Sequence, residues 1–164
     1  MASNNTLITF HPQDNQPPAA NYATLDTRNT TSPHAVLDFD QTTQEIAIFT
    51  GVMPRHYAGG GITVYVHWAA DVVTNTVGWD VAFERIGDGS QDIDSDGFAT
   101  AKTITAATVP ATSGNVDITN VAFTNGEIDG VLVGELFRLR IRRDVANDNA
   151  AGDAQLVAVE LKET

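Results

Sequence analysis

Between Ile62 and Ala70 the chain is written with a period of two. Ile62, Val64, Val66 and Trp68 share one phase, and Thr63, Tyr65, His67 and Ala69 share the other. Successive side chains of a strand point to opposite faces, so this segment carries one apolar wall and one mixed wall. A helix would scatter the same residues around its circumference, and the β-branched and aromatic content also favours a strand. The loop before it, Gly51 to Gly61, contains Pro54 and the run Gly59-Gly60-Gly61. Proline fixes one backbone angle, and the glycines permit positive φ or close approach by another backbone. Such a strand needs a second apolar layer to bury its wall.

The rest of the chain repeats the design. Short alternating runs occur at Leu7–Phe10, Ala35–Phe39, Glu45–Phe49, Val77–Ile86, Lys102–Thr108, Val116–Phe123, Glu135–Arg143 and Gln155–Lys162. Turn formers separate them, Asn125-Gly126 being the strongest. In Val77–Ile86, Val77, Trp79, Val81 and Phe83 are expected to face the core, and Asp80 and Glu84 the solvent. Residues 127–134 are expected to cross between sheets. No stretch of eleven or more residues sustains a period of 3.6, so almost no helix is expected. About eight or nine strands at this spacing predict a single all-β antiparallel sandwich with jelly-roll topology, another Greek-key sandwich being the alternative.

Composition changes from His11 to Pro33, where Pro, Asn, Gln, Ala and Thr dominate and Gln16-Pro17-Pro18 blocks ladder hydrogen bonding. Residues 1–34 therefore read as a short strand followed by an extended arm, and residues 35–164 as the sandwich domain. An arm of this composition either stays partly disordered or orders across a neighbouring subunit on assembly.

With 164 residues the chain can bury a core without staples, and with no cysteine it has neither disulfides nor thiolate metal sites. Its net charge of −12 repels phosphate backbones and anionic membrane surfaces, so neither nucleic acid nor a membrane is an expected partner. No apolar run is long enough to span a bilayer as a helix. Met1 to Thr6 has neither a basic start nor an apolar core, and a soluble cytoplasmic product is the expectation.

Signals for chemistry are few. Asp92, Asp94 and Asp96, followed by Gly97, have the alternate-carboxylate spacing of calcium loops. Position twelve of such a loop is Thr103 where a bidentate Glu is required, so an acidic surface turn competes with a calcium site. None of the four histidines, at 11, 34, 56 and 67, shows the spacing of a helical zinc motif. Arg55, His56 and Tyr57 sit together in the glycine loop as a candidate binding tip. Asp80 and Glu84, four residues apart on a strand, would stand about 13 Å apart, too far for a glycosidase pair. No nucleophile elbow is present, and no catalytic residue or cofactor is expected.

Arg138, Arg140, Arg142 and Arg143 hold four of the nine basic residues within six positions. Phe137, Leu139 and Ile141 take the core phase, so Arg138, Arg140 and Arg142 line one outer face. Carboxylates must face them, supplied either by neighbouring strands or by a partner subunit.

Several stretches together resemble a pattern in small structural proteins of tailed bacteriophages. They are Leu25-Asp-Thr-Arg-Asn29, Leu37-Asp-Phe-Asp40, Ile48 to Gly61, Asp94-Ser-Asp-Gly-Phe98, Phe137 to Asp144 and Gly152-Asp-Ala-Gln-Leu156. The resemblance covers most of the chain from Leu25 onward. It implies a trimeric jelly-roll virion component on the capsid exterior, a decoration or cement protein made in the host cytoplasm that binds the major capsid protein and itself. It equally fits a fibre, neck or tail component, and it brings no active-site residues. From another class, the same fold would suit a carbohydrate- or receptor-binding module with Tyr57, Trp68 or Trp79 as stacking platforms. The phase of both tryptophans argues that they are core.

Overall fold

The computed structural model describes residues 4–164. It contains ten strands: β1 (Thr6–Phe10), β2 (Thr24–Arg28), β3 (His34–Phe39), β4 (Ile46–Val52), β5 (Ile62–Ala70), β6 (Thr76–Ile86), β7 (Lys102–Thr108), β8 (Asp117–Phe123), β9 (Leu136–Arg143) and β10 (Ala154–Glu163). Among the described residues the only helices are single 3-10 turns at Pro12–Asp14 and Val145–Asn147. The strands form two antiparallel sheets packed as a jelly-roll sandwich. One sheet has six strands in the order β2-β3-β10-β5-β8, with β1 added beside β10, and the other has four in the order β4-β9-β6-β7.

The inner walls are those the alternation marks. Ile62, Val64, Val66 and Trp68 of β5 face Val77, Trp79, Val81 and Phe83 of β6, and all eight are fully buried. Aromatic rings join the layers edge to face: Phe39 and Trp79 lie 5.2 Å apart, Trp79 and Trp68 6.1 Å, and Phe83 and Phe123 5.2 Å. Each such pair adds about 0.5–1.5 kcal/mol to the area it buries. The glycine loop ahead of β5 uses both of glycine's properties. Gly59 has a φ of +85°, and a Cβ on Gly61 would lie 2.6 Å from the carbonyl oxygen of Phe123.

The segment read as an arm is fastened to its own domain. β1 pairs with the end of β10 and sends Leu7 and Phe10 into the core. The Gln16 N–H donates to the Ile48 carbonyl at 2.7 Å, the Ile48 N–H to Asn15 Oδ1 at 2.9 Å, and the Ala23 N–H to the Ile46 carbonyl at 3.0 Å. β2 then pairs with β3 along its whole length. The chain between these anchors is extended, but its backbone groups find partners at the β4 edge. A division at residue 34 falls at the first residue of β3. β2 escaped the periodicity reading because Thr24-Leu-Asp-Thr-Arg28 lies on a sheet edge, where even Leu25 is exposed and no apolar phase is required.

Asp80 and Glu84 correct the expectation of solvated carboxylates. They occupy the outer phase of β6, yet both are buried. Arg142 and Arg138 stand opposite them on β9. The loop 87–101 folds over the same face, pinned by a 2.8 Å bond from the Ala99 N–H to the Phe83 carbonyl.

Arg143 falls on the inner phase of β9 and is completely buried. All five of its N–H donors are used. Nε and Nη2 bind Asp148 at 2.7 and 3.0 Å, Nη1 reaches the carbonyls of Phe39 and Gly152 at 2.9 and 2.8 Å, and Nη2 reaches that of Ala150 at 2.9 Å. The guanidinium thus ties the β9–β10 connection to the end of β3. Replacing Arg143 by Met leaves the buried Asp148 carboxylate and three carbonyls without their donor. The expected cost is about 3–5 kcal/mol, read as a fall in the midpoint of denaturant unfolding; an unchanged midpoint would show that the cage does not hold the fold.

Candidate functional site

The residues singled out by sequence are scattered over the molecule. Asp92, Asp94 and Asp96 lie in the exposed loop 87–101. The Asp92 carboxylate accepts the Asp94 N–H at 3.0 Å, and Asp96 accepts the Gly97 N–H at 2.9 Å. The Asp92 and Asp96 carboxylates thus cap their own turn, and among the described residues no three His, Asp or Glu side chains converge as metal ligands. Arg55 and His56 are exposed at the glycine loop. Tyr57 is buried, its hydroxyl donating to the Gly60 carbonyl at 2.5 Å and accepting from Asn125 at 3.1 Å. Tyr57, Trp68 and Trp79 are therefore core residues and offer no stacking surface.

Two of the three arginines of the ladder are matched inside their own subunit. Arg138 Nε donates to Glu84 at 2.7 Å, and Arg142 binds Asp80 through Nε and Nη2 at 3.1 and 2.5 Å. Asp80 also accepts from Thr103 at 2.8 Å. Phe98 lies over the row, 5.0 Å from the guanidiniums of both Arg138 and Arg140. Arg140 has no carboxylate opposite it, and burial together with the neighbouring Arg142 lowers its pKa. The outer face of the four-stranded sheet is thus closed over most of its length by charge pairs and a lid.

The outer face of the six-stranded sheet is different: it is open and chemically mixed. The second phase of β5 supplies Thr63, Tyr65, His67 and Ala69. In register, Tyr65 stands between Asn120 of β8 and Glu160 of β10, and the next row places His67 between Ile118 and Ala158. Glu160 is oriented from two sides: it accepts from Thr6 Oγ1 at 2.5 Å and lies 3.9 Å from His67 Nε2. Tyr65 and His67 are half-buried, whereas Asn120 and Ile118 are exposed. The result is an aromatic surface flanked by an amide and a carboxylate.

Farther along the same face the floor drops into a depression of about 240 Å³ with Val36, Ala69 and Val157 beneath and Arg28 and His34 on the rim. Arg28 is fixed by Asp71 at 3.0 Å, by Ser113 at 2.6 Å and by the Gln155 side-chain oxygen. Gln155 sits beside Asp38 on the adjoining strand. Burial raises the Asp38 pKa to about 6; Gln155 opposes the shift, and the nearby carboxylates of Asp26, Asp153 and Asp71 add to it. Sequence reasoning named neither Asp38 nor Tyr65 as functional, because an outer-phase residue looks the same whether its face is open or covered.

No protein-family model matches the chain, and no curated protein is similar to it in sequence. Its fold is shared with carbohydrate-binding modules. A family 35 module from Clostridium thermocellum aligns with a TM-score of 0.59 at 10% identity, over 94% of this chain and 95% of that one. The Xyl-CBM35 module, solved with a glucuronic-acid-containing disaccharide, gives 0.58 at 8% identity over 94% and 91%. The family 22 xylan-binding domain of Paenibacillus barcinonensis Xyn10C gives 0.53 at 8% over 99% and 97%. These likenesses establish the jelly-roll architecture expected from the number and spacing of the strands; they do not bear on a place in a virion.

The raised Asp38 pKa has a definite sign. Between about pH 4 and 6 the folded state holds a proton on Asp38 that the unfolded chain has lost, so this residue's contribution to stability falls as pH rises through that window. Asp38→Asn is expected to raise the thermal midpoint at pH 7 and to leave it nearly unchanged at pH 4. Equal gains at both pH values would show that Asp38 does not titrate in this range.

Proposed function

We propose that this chain is a non-catalytic carbohydrate-binding module that holds a glycan across the outer face of its six-stranded sheet. The observation that carries the reading is the row Asn120–Tyr65–Glu160, with His67 in the next row. A pyranose ring has an apolar C–H face that packs on an aromatic ring and a rim of hydroxyls that needs donors and acceptors beside it. Tyr65 supplies the ring surface, Asn120 donates and accepts, and Glu160 accepts. The fold likeness supports the same reading, since the matching domains include isolated carbohydrate-binding modules aligned over nearly their whole length.

Catalysis has no support from Asp80 and Glu84, the carboxylate pair that spacing sets aside. Asp80 and Glu84 are buried against Arg142 and Arg138 and cannot act as an acid–base pair on a substrate. Binding is therefore the whole activity proposed. Carried on a virion fibre, neck or tail, the same platform would serve as a receptor-binding head for host glycans.

Electrophoresis through gels containing soluble polysaccharides tests the proposal. Retardation by at least one polysaccharide of a broad panel is expected, with Tyr65→Ala weakening binding about tenfold, the equivalent of ~1.4 kcal/mol for a lost stacking contact. Failure of every polysaccharide to retard the protein, or full binding by Tyr65→Ala, would overturn it.

A further inference from the structure

The outer face of the four-stranded sheet is not closed at one end. Its last row, read across β4, β9 and β6, is Val52, Leu136 and Ile86. The rows behind it carry the arginine–carboxylate pairs under Phe98, but this row is aliphatic and open. Val52 is 55% exposed and Leu136 36%. Leu132 and Val133, from the loop ahead of β9, extend the patch and are 51% and 44% exposed. Ile86, Leu136, Leu132 and Val133 line one depression of about 520 Å³. A contiguous aliphatic surface on so acidic a chain marks a protein contact.

The rim of that depression is charged. Arg55 and Asp88 both border it. Arg55 lies flat against Gly134, where a Cβ would come within 2.6 Å of the guanidinium carbon. The other cations with an ion pair, Arg28, Arg85, Lys102, Arg138, Arg142 and Arg143, are matched within the chain. Among the described residues neither Arg55 nor Asp88 has an oppositely charged partner. One patch therefore carries an apolar centre and both halves of an unmade ion pair on its edge. An isologous contact, in which residue i meets residue j twice about a twofold axis, would make that pair twice over.

We propose that this end of the four-stranded sheet is a homodimer interface, with Val52, Leu132, Val133 and Leu136 packed against a second copy of the chain and Arg55 of each copy facing Asp88 of the other. A twofold contact here lies on the layer opposite the Tyr65 platform and leaves both platforms open. The inference is independent of what those platforms bind.

Sedimentation velocity across micromolar to sub-millimolar protein tests it. The mass is expected to rise from one chain to two. Leu132→Asp combined with Leu136→Asp is expected to keep the protein monomeric. Arg55→Glu alone and Asp88→Arg alone should each weaken association about tenfold by setting like charges against each other. The double variant with both changes rebuilds the pair in reverse and should recover most of the loss. Because these side chains are exposed, the two rim variants report on association without threatening the fold. A protein that stays monomeric at the highest concentration overturns the proposal and leaves the patch to a different partner. So does a trimer mass, or a dimer that ignores both rim reversals.

Discussion

The guanidinium of Arg143, sealed between the sheets, is the interaction on which the arrangement of the C-terminal half depends. A charge in the interior is tolerated only where every donor finds an acceptor, and Arg143 meets that condition with Asp148 and three carbonyls. The price is a connection that cannot vary freely: the chain from Asp144 to Gly152 must curl so that Ala150 and Gly152 present their oxygens inward. β10 starts where that curl ends. Since β10 lies beside β1, β3 and β5, the register of most of the six-stranded sheet is set from this point.

The same use of cations as internal counter-ions recurs through the molecule. The chain has 9 basic residues against 21 acidic ones. Arg138 and Arg142 neutralise carboxylates buried on the outside of the four-stranded sheet. Arg85 holds Glu135 with a two-pronged contact of 2.7 Å on each prong, which lowers the Glu135 pKa and raises its own. Little positive charge is left for the surface. A surface arranged this way repels anions more than it does neutral molecules. The mixed outer face around Tyr65 fits that constraint.

Most of the fold was legible in the sequence, and the reasons are specific. Ile62 to Trp68 and Val77 to Phe83 fix which side chains line the core, because a one-residue slip would turn every one of them outward. The strands at the sheet interior were therefore found nearly to the residue. β2 was not, because an edge strand obeys no such rule. Arg143 could have been read as internal, since it shares a phase with Phe137, Leu139 and Ile141, but a charged residue at the end of an arginine-rich run is easily taken for surface. Glu84 and Asp80 were misread for a different cause. Their phase was right, and the burial comes from the arginines and Thr103 that cover them and from Phe98 laid over Arg138 and Arg140, which no periodicity encodes.

Sites were harder to see than strands because both sheets present alternating outer faces of similar composition. What separates them is the loop 87–101. By laying Phe98 across Arg138 and Arg140 it closes one face and reserves exposure for the other. The Gly87 N–H is held by Gln91 at 2.8 Å, so the loop turns sharply as it leaves β6 and comes back over the sheet. Within its acidic run, Asp92 and Asp96 are engaged by their own turn. The loop leaves its carboxylates exposed and delivers one aromatic ring to the sheet. The outer face of the six-stranded sheet keeps Tyr65 and His67 half-buried and Asn120 and Ile118 exposed.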